Sequence, residues 1–159
     1  MKILSTVILF FIMLPISHAE NKSIGVSSLS PQLQQLFSKE MIQLNQGMKK
    51  IMDAYISGEW DTIAAIAKKM EGSYVLRQNL TKSQMHELHS KLPIDFLKLD
   101  KEFHYYSGML SHASEMKKTE LIGFYFSKMS DTCVTCHSLY ATNKFPSFNS
   151  KAGSNNHHH

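Results

Sequence analysis

The chain has 159 residues, of which 43% are hydrophobic and 19% are charged, and its formal net charge at pH 7 is +4. This length and composition suit one globular domain with one core, and no fixed-period repeat is present. The positive charge is small and scattered along the chain, which excludes the strong basic patch of a typical nucleic-acid-binding protein.

The first 19 residues have the three parts of a secretory signal peptide. Lys2 gives the positive start, residues 3–16 are predominantly apolar, and Ala19 is the small residue before the cleavage expected at Glu20. An uncleaved membrane anchor is the alternative, although the apolar run is shorter than the roughly 20 residues that span a bilayer. Cleavage would remove Lys2 and lower the formal net charge from +4 to +3.

Residues 20–29 are expected to form an N-terminal extension before the first helix, which is predicted over residues 31–57. Ser30 before Pro31 is typical of a helix start, and Gly58 is typical of a helix stop. Apolar residues recur along this segment at alternating spacings of four and three, which predicts a single apolar seam. The seam consists of Phe37, Met41, Leu44, Met48, Ile51 and Tyr55.

A second helix is predicted after Asp61, which would serve as its N-cap, and it is expected to reach about residue 80 despite Gly72. Its inward residues are Ile63, Ile66 and Met70. Residues 81–84, with the sequence Thr-Lys-Ser-Gln, form a capping box. One or two further helical turns are therefore expected before Pro93.

The rest of the chain predicts two more long helices with the same spacing of apolar residues. The seam of the third consists of Phe96, Leu99, Phe103, Tyr106, Leu110 and Ala113. The seam of the fourth consists of Ile122, Phe126, Met129, Cys133, Cys136 and Tyr140. No strand-like alternation of useful length occurs, so the predicted fold class is all-α, an antiparallel up-down-up-down four-helix bundle over residues 30–148. Residues 149–159 are expected to be a disordered tail, and the three terminal histidines are open to interpretation as an added tag.

The run Cys133-Val134-Thr135-Cys136-His137 on the last helix is the attachment pattern of c-type haem. Two cysteines three residues apart can each add across one vinyl group of a single porphyrin, and His137 then lies under the iron as an axial ligand. These are the only two cysteines of the chain. A disulfide or a thioredoxin-like redox centre is the alternative. That alternative would be accompanied by a βαβ pattern, which the sequence lacks. One covalent haem c is therefore predicted.

A second axial ligand has to come from upstream of the motif or be absent. No methionine follows Met129, and only 22 residues follow His137.

A haem motif on the last of four helices, with an export signal in front, resembles the class II cytochromes c, the cytochrome c′ family. The resemblance covers about residues 33–145 and includes the Gly58 turn, the aromatic third helix around Phe103, and Tyr140 three residues beyond the motif. Of these features, only the haem motif is highly specific. Members of the family often carry an arginine directly after that tyrosine, whereas this chain has Ala141. The family resemblance also implies a periplasmic location, which agrees with the predicted export signal.

The resemblance implies that a side chain early in the first helix faces the distal side of the iron. A methionine there implies a six-coordinate electron-transfer centre, whereas an apolar group implies a five-coordinate iron that binds nitric oxide or carbon monoxide. Met41 lies on the seam and is the expected distal ligand. Counting back from Gly58 instead leads to Ile42, which cannot ligate. Met41 is also open to interpretation as a core residue, like Met48 and Met52.

The remaining histidines are weaker candidates for iron ligation. His104, beside Phe103, is expected to be a surface or hydrogen-bonded residue. The others rank lower still: His86, His89 and His112.

The leading hypothesis is a periplasmic monohaem electron carrier, and a five-coordinate protein that binds nitric oxide or carbon monoxide is the alternative. An enzyme such as a peroxidase is not expected, because the seam of the first helix has no histidine or carboxylate, and Glu40 lies beside Met41 but off the seam. The expected partners are periplasmic redox proteins. Lysine pairs at residues 49–50, 68–69 and 117–118 would suit an acidic partner, although solvated helix faces explain them as well. The resemblance would also permit a homodimer, for instance through Ile56 and Ile66.

Overall fold

A computed structural model describes residues 25–149, which fold entirely as helices and connecting turns, with no strand among them. The all-α prediction is confirmed for this range. The predicted signal peptide, the start of the N-terminal extension and the tail from residue 150 lie outside the described residues. Within the described range, none of the helices has the length and the apolar content that crossing a membrane requires.

The structure has six α-helices and two short 3₁₀ turns within residues 25–149. The α-helices are α1 (Pro31–Ser57), α2 (Trp60–Glu71), α3 (Leu76–Asn79), α4 (Lys82–Lys91), α5 (Ile94–Glu115) and α6 (Thr119–Tyr140). The 3₁₀ turns are Val26–Ser28 before α1 and Pro146–Phe148 after α6.

Both predicted ends of α1 are confirmed. The helix begins at Pro31, whose missing N–H would have no partner in the first turn. It ends where Gly58 takes a left-handed φ of 72° and donates its N–H to carbonyls of the last turn. The Ser30 side chain makes no capping bond, but its backbone N–H donates to Glu87 Oε1 at 2.7 Å. The start of α1 is therefore tied to α4.

The predicted limits of α2 were wrong at both ends. The helix begins at Trp60, so Asp61 lies in its first turn rather than at the N-cap, where its charge still suits the positive end of the helix. It ends before Gly72 rather than near residue 80, because Ser73 takes a φ of 62° and turns the chain away. The next residues form the separate helix α3.

The predicted capping box at the start of α4 is confirmed. Thr81 Oγ1 accepts the N–H of Gln84 at 3.2 Å, and Gln84 Oε1 accepts the N–H of Thr81 at 2.9 Å. The helix that follows has 10 residues, which is longer than the one or two turns expected. Its inner face buries Leu88, and Leu92 directly after the helix is buried too.

The helices pack in the order α1 on α2, α2 on α5, and α5 on α6, and they enclose two hydrophobic cores. The first core consists of Ile51, Ala54, Ile63, Ala67, Met70, Phe103, Leu110, Ala113, Ile122 and Met129. The second core consists of Leu29, Leu33, Phe37, Leu76, Leu88, Leu92 and Phe96.

Candidate functional site

The Cys-x-x-Cys-His motif lies in the second half of α6, at the junction of the two cores. Both cysteines are free thiols and are half-buried. Cys133 packs against the first core, whereas Cys136, one helical turn later, packs against the second core. The two sulfur-bearing side chains therefore share one apolar face of α6.

Burial keeps both thiols protonated near neutral pH. It raises the pKa of Cys133 to about 11, and it raises that of Cys136 to about 11 with help from the negative charge of Asp100. The thiolate is the form that attacks disulfides and binds free metal ions, and reactive cysteines have a lowered pKa. Neither thiol therefore has the lowered pKa that is typical of a reactive cysteine.

Two sets of contacts join α1 to α6 at opposite ends. Gly123, near the beginning of α6, lies so close to Tyr55, near the end of α1, that a Cβ atom added to the glycine would be 2.8 Å from Oη of the tyrosine. The end of α1 therefore approaches the beginning of α6. At the other end, Phe96 of α5 bridges the helices, with its ring centroid 5.7 Å from that of Phe37 and 5.2 Å from that of Tyr140. The two helices therefore run in opposite directions.

Met41 and His137 lie in the corresponding halves of these antiparallel helices. Both helices rise about 1.5 Å per residue, and Met41 precedes Tyr55 by fourteen residues while His137 follows Gly123 by fourteen residues. Met41 packs against the second core, as Cys136 does. Ile42 is 52% exposed and points away. Burial therefore favours Met41 over Ile42 as the residue on the inner seam of α1.

Three consecutive residues of the α1 seam are only half-buried. Met41, Leu44 and Met48 are half-buried, whereas Phe37 before them and Ile51 after them are buried. Cys133 and Cys136 on α6 are half-buried as well.

The interpretation of Met52 as a core residue was wrong, because its side chain is 44% exposed. Met52 lies on the outer face of α1 and is therefore not part of the inner seam.

The His137 imidazole stacks on the ring of Phe145, a residue that the sequence analysis did not single out. The ring centroids are 4.4 Å apart and the planes are inclined by 18°. Burial lowers the pKa of His137, which favours the neutral imidazole, the form that binds a metal. The sequence did contain one indication of the turn that carries Phe145. Pro146 directly follows Phe145, and a proline after a helix end indicates a turn.

Glu40 lies off the seam, as predicted, yet it is only 1% exposed. Its carboxylate accepts the backbone N–H groups of Tyr74, Val75 and Leu76, at the beginning of α3. A carboxylate is well suited to the positive N-terminal end of a helix. Glu40 therefore caps α3 from a different helix.

The other candidate histidines differ in their burial. His104 is buried and hydrogen-bonded, with Nδ1–H donating to the carbonyl of Met70 at 2.7 Å, so it is not a surface residue. Its Nε2 lies 3.6 Å from Oδ1 of Asp100. The three remaining candidates are all exposed: His86, His89 and His112.

Within residues 25–149, no group of three or more His, Cys, Asp or Glu side chains is arranged to hold a metal ion. Two open surface depressions of about 300 and 230 Å³ lie near the Gly58 turn, and both are lined by Glu59 and Thr62. Neither depression borders Cys133, Cys136 or His137. The apolar packing of the two cysteines, not these depressions, is therefore the feature that marks the site.

No protein-family model, no curated protein and no solved structure matches this chain. The functional interpretation therefore depends on its own residues.

Proposed function

We propose that the protein is a periplasmic monohaem c-type cytochrome that transfers electrons, similar to the cytochrome c′ family. Its architecture in this proposal is an up-down-up-down bundle of α1, α2, α5 and α6, with one haem c attached to the last helix. The packing order of these helices supports the bundle. The observation that carries the proposal is that Cys133 and Cys136 share one half-buried, apolar face of α6 and that His137 directly follows them.

The two cysteines fit covalent haem attachment. Each cysteine would hold one vinyl group of the haem as a thioether, with its sulfur bonded to one vinyl carbon and its hydrogen transferred to the other. The sulfurs lie one helical turn apart on one face of α6, where Cys133 packs against the first core and Cys136 against the second. The bound haem supplies a one-electron iron couple.

His137 and Met41 are the proposed axial ligands. The lowered pKa of His137 keeps a lone pair available on its imidazole, and the thioether of Met41 lies on the inner seam of α1. Ligation by sulfur and imidazole suits both oxidation states of iron, which limits rearrangement when an electron arrives. This ligand pair also raises the reduction potential, and the apolar wall of the cores adds to that effect.

The environment of Glu40 supports an electron carrier rather than a peroxidase. A peroxidase needs a distal acid–base group near the iron. Glu40 is the carboxylate nearest to Met41 in sequence, and its oxygens already accept three backbone hydrogen bonds from residues 74–76. A group held in this way does not face the motif.

Periplasmic redox proteins are the proposed partners. The lysine pairs at residues 49–50, 68–69 and 117–118 are exposed and would suit an acidic surface. A homodimer through α1 and α2 remains a prediction from the resemblance, with Ile56 exposed and Ile66 half-buried.

The test is to express the full chain in a bacterial host that attaches haem c, and then to measure its mass and its absorption spectra. We expect the mass of one haem on the secreted protein and a reduced spectrum of the six-coordinate, low-spin type. Recovery of apoprotein alone would refute the proposal.

Two matched variants test the distal ligand. Met41→Ala should convert the reduced spectrum to the high-spin type and allow carbon monoxide to bind readily. Met52→Ala, on the outer face of the same helix, should change neither property. If Met41→Ala leaves the spectrum unchanged, methionine is not a ligand, and the five-coordinate protein that binds nitric oxide or carbon monoxide takes the place of the electron carrier.

A further inference from the structure

The residues after α6 fold back over His137. We call residues 141–149 the C-terminal turn. Within it, the carbonyl of Ala141 accepts the N–H groups of Lys144 at 2.9 Å and Phe145 at 3.0 Å. The side-chain amide of Asn149 donates to the carbonyl of Thr142 at 3.4 Å, which closes the turn.

These bonds place the Phe145 ring flat against the face of the His137 imidazole. The centroid distance of 4.4 Å and the inclination of 18° describe stacked rings. Phe148 supports Phe145 from the side, with its centroid 6.4 Å away and its ring edge-on. The helix fixes the backbone of His137, and the stacked ring restricts rotation of the imidazole about its own side-chain bonds.

A ring stacked in this way does not compete with ligation. The nitrogen lone pair of an imidazole lies in the ring plane and points outward from its edge, whereas Phe145 covers the face. His137 can therefore bind a metal through a nitrogen while its face remains in contact with Phe145.

We propose that Phe145 is a positioning residue for the proximal ligand: it sets the orientation of the His137 ring and keeps water from one face of it. This inference depends on the proposed function, because it needs His137 to bind the haem iron. The apolar shell around a metal site limits solvent access and thereby tunes its reduction potential. Water that gains access to the proximal side stabilises the oxidised, more positively charged iron and lowers the potential.

The test uses the full haem-loaded chain with substitutions at Phe145. Phe145→Ala should lower the midpoint potential and shift the NMR signals of the His137 ring protons in the oxidised protein. Phe145→Tyr keeps a flat ring and should retain the values of the unaltered protein. Phe145→Leu keeps apolar volume without a flat ring, so the His137 signals should still shift even if the alanine variant fails to fold.

Phe124→Ala is the matched control, because Phe124 is another largely exposed phenylalanine, 51% against 41% for Phe145, and it lies on α6 away from the motif. It should change neither the potential nor the His137 signals. The inference alone would be overturned if haem-loaded Phe145→Ala and Phe145→Leu had the same midpoint potential and the same His137 signals as Phe124→Ala. Absence of haem from the unaltered chain would overturn the proposed function and this inference together.

Discussion

The two cores differ in the segments that build them. Every buried residue of the first core belongs to one of the long helices α1, α2, α5 and α6. The second core also takes Leu29 from before α1, Leu76 from α3 and Leu88 from α4. Short segments of this kind are not stable as isolated helices. They depend on tertiary contacts, among them the bonds from Glu40 to α3 and from Glu87 to Ser30.

The motif joins these two environments. Cys133 packs against the core made by long helices, and Cys136 packs against the core completed by short segments. The first core gives α6 a firm base, and the second core closes the end of the molecule around the motif. Substitutions in the first core should therefore destabilise the whole domain. Substitutions in the second core should increase local unfolding at the end of the molecule that carries the motif.

Met129 should show the largest effect, because it is completely buried in the first core. Met129→Ala leaves a cavity among long helices and should lower the free energy of unfolding by about 2–5 kcal/mol. The same substitution at the half-buried Met41 should cost less. Urea denaturation of the full chain without haem measures both.

Met52→Ala provides the baseline for this series, since Met52 lies on the outer face of α1 and should change stability by no more than about 0.5 kcal/mol. Equal losses for Met129→Ala and Met52→Ala would mean that the first core does not provide the rigid base described above.

Glu40 should show the next largest effect. Glu40→Ala leaves three backbone N–H groups at the beginning of α3 without their acceptor, which should lower the free energy of unfolding by about 2–3 kcal/mol. Glu40→Gln retains one acceptor oxygen and should cost less. Hydrogen exchange should accelerate first at Tyr74, Val75 and Leu76, with little change at amides of the first core.

Asp53→Ala, an exposed carboxylate on the same helix, should leave both stability and exchange unchanged. If Glu40→Ala accelerates exchange equally in both cores, the short segments are not a separate, weaker part of the fold.

The features that could be predicted from sequence have local signals. Ser30 before Pro31 and Gly58 after the seam mark both ends of α1, and the capping box marks the start of α4. The three-and-four spacing also selects Met41, which packs inward, over Ile42, which is exposed.

The features that could not be predicted depend on residues far apart in the chain. The separate helix α3 could not be predicted because its capping group is Glu40, more than 30 residues earlier. The stacking of Phe145 on His137 likewise needs the chain to reverse after α6, which helical periodicity does not describe. Local sequence thus placed the motif on its helix, but it did not reveal what surrounds the motif.

Glu87 should give the smallest effect, one that depends on pH. Its carboxylate accepts bonds from Lys91 at 2.9 Å and from the N–H of Ser30 at 2.7 Å, and these bonds hold the pKa of Glu87 below its ordinary value of 4.5. A lowered pKa in the folded state means that the carboxylate adds stability above about pH 4.5, and that this stability is lost as the pH falls through the lower, folded-state pKa.

Glu87→Gln should therefore reduce the urea midpoint at pH 7, and its difference from the unaltered chain should shrink as the pH falls below 4.5. The reduction should be small, because solvent screens the ion pair with Lys91. Asp53→Asn, which removes an exposed carboxylate from α1, is the control for this substitution. A difference for Glu87→Gln that stays constant from pH 7 to pH 3 would mean that the ionised carboxylate does not tie α4 to the start of α1.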